Sequence, residues 1–242
     1  MSGGKNWIGY LTADYNVSLT LTYDFAFNCA TVSSDLVPTC GPDVRTLIDQ
    51  VAQFDDLTSR AMRYGNWTST NSLFVFWFGI NDVDRPTYWD GIDHDALHNA
   101  VISRYFEEVE KLYNVGARKI LIMNVPSIER TPRVREKPDT EQTLEKELCH
   151  KFNARLRDRV GRFKQERGNA SIVLMDTALL FNRVLDHPGE FGARDEFCFG
   201  GYDDGCVWAD NFHPGRILHE YVARNVVKGM NGVIDGFFKA NW

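Results

Sequence analysis

The chain has 242 residues and a mass of 27.7 kDa, which suits a single α/β domain. Hydrophobic residues make up 43% of it and charged residues 25%, ordinary proportions for a folded globular protein that exclude disordered, collagen-like and coiled-coil chains. The formal charge of -6 comes from 27 basic and 33 acidic residues interspersed along the chain, which predicts no nucleic-acid partner, and the longest apolar run, residues 73–78, is too short to span a membrane.

Apolar runs alternate with helical patterns along the whole chain, which is typical of βαβ units and a parallel sheet. The predicted strands are residues 17–25, 73–79, 119–125 and 171–176. The middle two are almost continuously apolar, as expected of parallel strands that are covered on both faces. We therefore expect one domain over residues 1–242.

Amphipathic helices are predicted between and after these strands, because apolar residues recur at helical spacing. They cover residues 43–60, 94–113 and about 140–165, and a last helix starts at Pro214. Proline suits the first helical position, and the last helix is expected to bury Ile217, Tyr221 and Val222. Ligands of open parallel sheets bind beyond the carboxyl ends of the strands, so functional residues are expected directly after the strands.

The turn Gly79-Ile80-Asn81-Asp82 follows the second predicted strand. Asn and Asp often bond their own backbone in such turns. Alternatively, the Asn81 carboxamide offers a fixed N–H donor for an oxyanion, and one such donor is typically worth roughly 2.7–4 kcal/mol of barrier in acyl transfer. The residues alone leave both interpretations open.

A second candidate group stands directly before the last helix, in Trp208-Ala209-Asp210-Asn211-Phe212-His213-Pro214. Three residues in one loop bring Asp210 close to His213, so that Asp210 can orient the imidazole as a general base, as in a Ser-His-Asp triad. The alternative is a helix cap formed by Asp210 or His213 and a packed imidazole.

Acidic and histidine residues are dense between positions 82 and 95 but lack the helical i,i+4 spacing of a zinc motif. They are Asp82, Asp84, Asp90, Asp93, His94 and Asp95. The sequence therefore predicts no metal and no cofactor.

Five cysteines occur, and none forms a Cys-x-x-Cys pair. They are Cys29, Cys40, Cys149, Cys198 and Cys206. Each is expected to act as a small buried hydrophobe, except that Cys198 and Cys206 bracket a turn and are a candidate disulfide. Asn-x-Ser/Thr acceptors at Asn16, Asn66 and Asn169 fit a secreted protein, whereas no signal-peptide pattern is found at the start of the chain.

Four segments in this order resemble the SGNH, or GDSL-type, ester hydrolases, and most closely the fungal acetylesterase-like carbohydrate esterases. The segments are Asn6-Trp7-Ile8-Gly9-Tyr10-Leu11, Tyr23-Asp24-Phe25-Ala26-Phe27-Asn28-Cys29-Ala30-Thr31, Gly79-Ile80-Asn81-Asp82, and Trp208 with Asp210-Asn211-Phe212-His213-Pro214. The resemblance implies that Asn81 is the oxyanion asparagine, His213 the base and Asp210 its orienting partner. Cys29 stands where the family has an oxyanion glycine, which acts through its backbone N–H.

The resemblance also implies a three-layer α/β/α sandwich with a flavodoxin-like parallel sheet. Members of the family open with a strand that ends in Gly-Asp-Ser, the serine being the nucleophile, and no Gly-Asp-Ser occurs in this chain. The four predicted strands then correspond to the second to fifth, and the first, central strand is missing. We therefore expect an N-terminally truncated form of a domain whose complete protein is extracellular.

The function implied is hydrolysis of carboxylic esters, acetyl esters of sugars in particular, through an acyl-serine intermediate. The partner is then a small-molecule or carbohydrate ester, and a monomer is expected. Since the serine motif is absent, the alternative is a catalytically dead binding protein of the same fold, carbohydrate-binding, with Trp77, Trp89 and Trp208 as stacking surfaces.

Overall fold

The computed structural model describes residues 3–17, 19–60, 67–201, 204–230 and 232–233. Helices and strands alternate over most of this part of the chain. In chain order they are α1 (Trp7–Ala13), α2 (Leu47–Arg60), β1 (Leu73–Trp77), α3 (Ile80–Asp84), α4 (His94–Asn114), β2 (Lys119–Met123), α5 (Pro132–Arg135), α6 (Asp139–Glu166), β3 (Ser171–Met175), α7 (Thr177–Asp186) and α8 (Arg216–Gly229). Short 3₁₀ turns cover Ile128–Arg130 and Pro188–Phe191.

The sheet has the strand order β1-β2-β3. β1 and β2 are parallel, with Leu73 opposite Lys119 and Trp77 opposite Met123. The side chains from Ile120 to Met123 are fully buried, because the central strand has neighbours on both edges. A three-stranded parallel sheet flanked by helices confirms the predicted α/β class and is consistent with a flavodoxin-like sandwich.

The strand predicted over residues 17–25 is wrong. Residue 18 lies outside the described residues, and the others belong to no strand. Leu19, Leu21 and Tyr23 are 87%, 61% and 44% exposed. Their alternation is typical of a half-buried strand, but a strand also needs a neighbour for its backbone groups, and none of the described strands pairs with this segment.

The predicted helix starts move by a few residues for local reasons. α2 begins at Leu47, because Asp49 accepts hydrogen bonds from the Thr46 N–H and hydroxyl and forms a cap. α8 begins at Arg216, since Pro214 is held in a bridge with Trp208.

The buried residues of α8 also differ from the prediction. Val222 is buried as predicted, but Ile217 and Tyr221 are only half-buried, and Leu218 and Val226 face the core in their place. Leu218, Val222 and Val226 recur at every fourth position and therefore share the face of the helix that packs on the core.

Two compact units divide the chain. The first contains the described parts of residues 1–22, 126–147 and 175–242, and the second contains residues 23–125 and 148–174. None of the helices in the described part combines the length and the apolar character that crossing a bilayer requires.

In the second unit, aromatic side chains join β1 to two helices. Phe54 of α2 packs on Phe74, with ring centroids 5.3 Å apart, and Tyr105 of α4 packs on Phe76 at 5.9 Å. Phe74 and Phe76 point to the same face of the strand, so α2 and α4 cover one face of the sheet.

In the first unit, α8 packs against α1 and α7. Phe181 of α7 lies 6.2 Å, centroid to centroid, from the fully buried ring of Trp208. The loop before α8, which carries Asp210 and His213, is therefore anchored at its start in an apolar core.

Candidate active site

The turn after β1 depends on Gly79. Its φ of +109° lies in the region that side chains disfavour, and a Cβ there would lie 2.6 Å from Phe152 Cε1 and 2.9 Å from Val125 Cγ2. Position 79 therefore requires glycine, both because of its backbone conformation and because no room is left for a side chain. The chain enters α3 directly afterwards, which fixes Asn81 and Asp82 in the first turn of that helix.

Asn81 and Asp82 bond a distant segment and not their own turn. Asn81 Nδ2 donates to the Ala30 carbonyl at 2.9 Å, and the Val32 N–H donates to Asp82 Oδ1 at 3.0 Å. The turn interpretation is therefore incomplete. One amide proton of Asn81 remains without an acceptor among the described residues.

Cys29 stands beside this segment with a backbone suited to glycine. Its φ is +64°, and it is the one non-glycine residue with a positive φ in the described part of the chain. Its N–H has no acceptor among the described residues. Cys29, which the resemblance matches to a glycine, therefore has a conformation that glycine favours.

Two disulfides are present. Cys198 and Cys206 are bridged with Cα atoms 4.9 Å apart, and Cys29 is bridged to Cys40 with Cα atoms 5.8 Å apart. The expectation of buried hydrophobes is wrong for Cys29, which is half-buried, and for Cys40, which is exposed. The two lie eleven positions apart in an irregular segment, and their spacing has no motif that distinguishes a bridge. Cys149 is a buried free thiol.

Asp210 and His213 form a close pair. His213 Nδ1 lies 2.8 Å from Asp210 Oδ2 and 3.0 Å from Oδ1. Oδ1 also accepts the backbone N–H groups of Phe212 and His213, at 2.8 and 2.7 Å. The cap and the base-orienting interpretations thus both hold, because one carboxylate caps the turn and contacts the ring.

The electrostatics of this pair favour a charged aspartate. Burial alone would raise the pKa of Asp210, but the hydrogen bonds from His213 and Phe212 outweigh it and hold that pKa below its ordinary value. His213 and Asp210 are 36% and 42% exposed. His213 Nε2 has no partner among the described residues, so it is available to a hydroxyl group.

Arg133 supports the loop, a role that the sequence did not predict. Its backbone N–H donates to the Asn211 carbonyl at 2.8 Å, and its guanidinium lies 3.7 Å from the centroid of the Phe212 ring. A cation over an aromatic face is a favourable contact. Nothing in the spacing of Arg133 and Phe212 along the chain signals this contact.

The predicted tryptophan stacking surfaces are largely wrong. Trp208 is 1% exposed, and its Nε1 donates to the Glu196 carbonyl, so it has no face for a ligand. Trp77 donates to the Asn124 carbonyl and is half-buried. Only Trp89 among the three is exposed.

The acidic residues between positions 82 and 95 have separate structural partners. Asp82 is buried against Val32, Asp93 caps α4 through the Ala96 N–H, and Asp95 pairs with Arg155 at 2.7 Å. Within the described residues, no three His, Cys, Asp or Glu side chains are grouped so as to hold a metal ion.

The predicted site residues fall into two pairs, one in each unit. Asn81 and Cys29 lie in the second unit, and Asp210 and His213 lie in the first. Within each pair the contacts are as described above. That both pairs serve one substrate stays a prediction.

Comparison with known proteins identifies the family. The GDSL-like lipase/acylhydrolase family matches residues 2–226. An acetylesterase of Thermothelomyces thermophilus is 36% identical over 233 residues, covering 96% of this chain and 76% of that protein. An acetylesterase of Hypocrea jecorina is 22% identical, covering 94% of the chain and 78% of that protein.

More distant relatives include the thermolabile hemolysin of Vibrio parahaemolyticus, 22% identical over 97% of the chain and 56% of that protein, and the anther-specific proline-rich protein APG of Brassica napus, 23% identical over 76% of the chain. The chain spans 48% of the length of the Brassica protein. The family match extends over nearly the whole chain, so the resemblance read from the motifs is confirmed. The chain belongs to the GDSL-like lipase/acylhydrolase family of carboxylic ester hydrolases.

Proposed function

We propose that the protein hydrolyses acetyl esters of sugars as a serine esterase, with His213 as the general base, Asp210 as its orienting partner, and Asn81 and the Cys29 N–H as oxyanion donors. The observation that carries this proposal is the contact of 2.8 Å between Asp210 and His213 Nδ1, which leaves Nε2 available. The similarity to two acetylesterases supports the acetyl group as the acyl part.

In the proposed mechanism, His213 Nε2 takes the proton of a serine hydroxyl, whose oxygen attacks the ester carbonyl carbon. Asn81 Nδ2–H and the Cys29 N–H stabilise the oxyanion of the tetrahedral intermediate. The protonated imidazole then gives its proton to the departing alkoxide, which leaves an acyl-serine. Water repeats the sequence, releases acetate and restores the serine.

The serine itself is assigned to a Gly-Asp-Ser strand outside these 242 residues. Two features support this assignment. Leu19 and Leu21 are exposed in an alternating segment without a strand partner among the described strands, and β1 has only β2 as a neighbour in the described sheet. In addition, Gly3 lies against Ala209. A Cβ added to Gly3 would lie 3.3 Å from the Cβ of Ala209. Gly3 therefore lies close to the loop that carries Asp210 and His213.

Secretion of the complete protein fits the same proposal. Two disulfides within one small chain are typical of oxidising compartments. Asn16 and Asn169 stand in acceptor sequences for N-glycosylation, and Asn66 lies outside the described residues.

A catalytically dead binding protein is the second candidate function, and the absence of a Gly-Asp-Ser motif from the 242 residues is the observation that favours it. The exposed ring of Trp89 is then the surface left for stacking on a sugar. This candidate differs from the first in one measurable respect, since it predicts binding without hydrolysis in every form of the protein.

The experiment compares three proteins in the hydrolysis of 4-nitrophenyl acetate: the 242-residue chain, a chain extended upstream through a Gly-Asp-Ser segment, and the extended chain with His213→Ala. We expect near-background rates for the 242-residue chain and a loss of about 10⁴- to 10⁶-fold in kcat on His213→Ala in the extended one. Equal activity of the short and extended chains, lost on His213→Ala, places the nucleophile within these residues. Inactivity of the extended chain supports the binding protein.

A further inference from the structure

The carboxyl group of Asp82 has no role in the mechanism above, yet it contacts the segment that carries an oxyanion donor. Two adjacent side chains of α3 hold two peptide groups of residues 30–32, since Asn81 donates to the Ala30 carbonyl and Asp82 accepts the Val32 N–H. The Thr31–Val32 peptide is held on its other side as well, because the Leu47 N–H donates to the Thr31 carbonyl at 3.0 Å.

We propose that Asp82 is a positioning residue of the oxyanion hole, which fixes the backbone of residues 29–32 and thereby holds the Cys29 N–H in place. This inference rests on the proposed function, because it assigns Asp82 to the hole that Asn81 and Cys29 form. Asp82 itself contacts no substrate.

The burial of Asp82 supports the role. Its side chain is fully buried, as are Val32 and Thr31 beside it. A buried carboxyl group is costly unless it is hydrogen-bonded, and one of its oxygens, Oδ2, has no hydrogen-bond partner among the described residues. Asp93, which caps α4 by accepting the Ala96 N–H, is exposed by contrast.

The protonation state is compatible with an adjacent oxyanion. Burial raises the pKa of Asp82 to about 7, against the hydrogen bond from the Val32 N–H, which lowers it. The neutral form, which this pKa makes accessible near pH 7, still accepts the Val32 N–H. Asparagine reproduces this neutral acceptor, whereas alanine removes it.

The first test uses kinetics in the extended protein, with Asp82→Ala, Asp82→Asn and, as a matched control, Asp93→Ala. We expect Asp82→Ala to lower kcat for 4-nitrophenyl acetate about 10- to 100-fold with KM within about twofold, since loss of a whole oxyanion donor costs about 10²- to 10³-fold. Asp82→Asn should restore kcat to within a few-fold of the unsubstituted protein. Asp93→Ala should lower the melting temperature and leave kcat unchanged.

Full kcat in folded Asp82→Ala overturns the inference, and so does an Asp82→Asn protein as slow as Asp82→Ala. The second test needs no activity and uses the 242-residue chain: hydrogen exchange of the Val32 amide should accelerate at least tenfold in Asp82→Ala and remain slow in Asp82→Asn. Unchanged exchange in Asp82→Ala also overturns the inference. Inactivity of the unsubstituted extended protein contradicts the proposed function, and the exchange result then decides only whether Asp82 fixes the backbone at Val32.

Discussion

The spacing of Asp210 and His213 is short enough that local chain geometry alone brings them together, and for this reason the pair was predictable from the sequence. The contacts of Asn81 and Asp82 were not predictable in the same way. They join α3 to residues 30–32, about fifty positions earlier, and a pattern in the sequence carries no information on which distant backbone groups a side chain will meet. The family resemblance assigned Asn81 and Cys29 to the oxyanion hole, but it assigned no role to Asp82.

Replacing Asp210 with Asn tests whether its charge acts on His213. Asparagine keeps an oxygen for the Phe212 and His213 N–H groups, so the turn should persist, but the imidazole loses its ionised partner. We expect kcat of the extended protein for 4-nitrophenyl acetate to fall by about 10⁴-fold with little change in thermal stability. A kcat within threefold of the unsubstituted protein would show that Asp210 only caps the turn.

Two buried histidines make the free energy of unfolding depend on pH in the acidic range. Burial lowers the pKa values of His98 and His219 to about 4, from an ordinary 6.5. The unfolded chain therefore binds protons at these positions below about pH 6.5, whereas the folded protein resists them until about pH 4. Their contribution to stability is complete above pH 6.5 and is lost as the pH falls towards 4. Asp82 has the opposite sign, since its raised pKa makes its burial less costly in acid.

His98→Phe isolates one of these contributions, because a second aromatic ring can occupy the site where His98 packs on Phe152 at 5.3 Å. We expect the urea midpoint of the original 242-residue chain to drop between about pH 6.5 and about pH 4.5 by clearly more than that of His98→Phe. Parallel curves for the two proteins would mean that His98 is not held neutral in the folded state.

At the scale of elements, the sequence predicted the strands, whose residues are almost all apolar. β1, β2 and β3 were found within two residues of their bounds, because continuous apolar runs have few alternatives to a covered parallel strand. α1 was missed although Asn6 caps it by accepting the Gly9 N–H, since seven residues are too few for a clear helical period. The strand predicted over residues 17–25 is wrong because alternation of apolar and polar side chains does not show whether a neighbouring strand is present to pair with it.

Gly79→Ala tests the turn that connects β1 to α3. The substitution combines a disfavoured φ with a close approach to Phe152, and we expect a loss of about 3 kcal/mol or more in the free energy of unfolding. Gly91→Ala is the matched control, because Gly91 also has a positive φ, +69°, but no atom lies within 4 Å of the position that its Cβ would take. It should cost only about 1 kcal/mol. Equal losses for the two variants would exclude steric crowding as the reason for Gly79.

At the scale of the whole molecule, the two disulfides fix the number of free thiols. With Cys29 joined to Cys40 and Cys198 joined to Cys206, one thiol remains, on the buried Cys149. Protein made in an oxidising host, denatured without reductant, should therefore react with one equivalent of a thiol reagent, and with five after reduction. Three reactive thiols before reduction would remove one of the two bridges, and five would remove both.

The central proposal is that the 242 residues carry the base, its orienting partner and the oxyanion donors of an esterase whose nucleophile lies in a Gly-Asp-Ser segment outside them. Intact-mass spectrometry after treatment with a fluorophosphonate probe tests this directly, because the probe forms a covalent bond only with an activated nucleophile. We expect the extended protein to gain one label on the serine of Gly-Asp-Ser, the same protein with His213→Ala to gain none, and the 242-residue chain to gain none. A label on the 242-residue chain that disappears on His213→Ala would contradict the proposal.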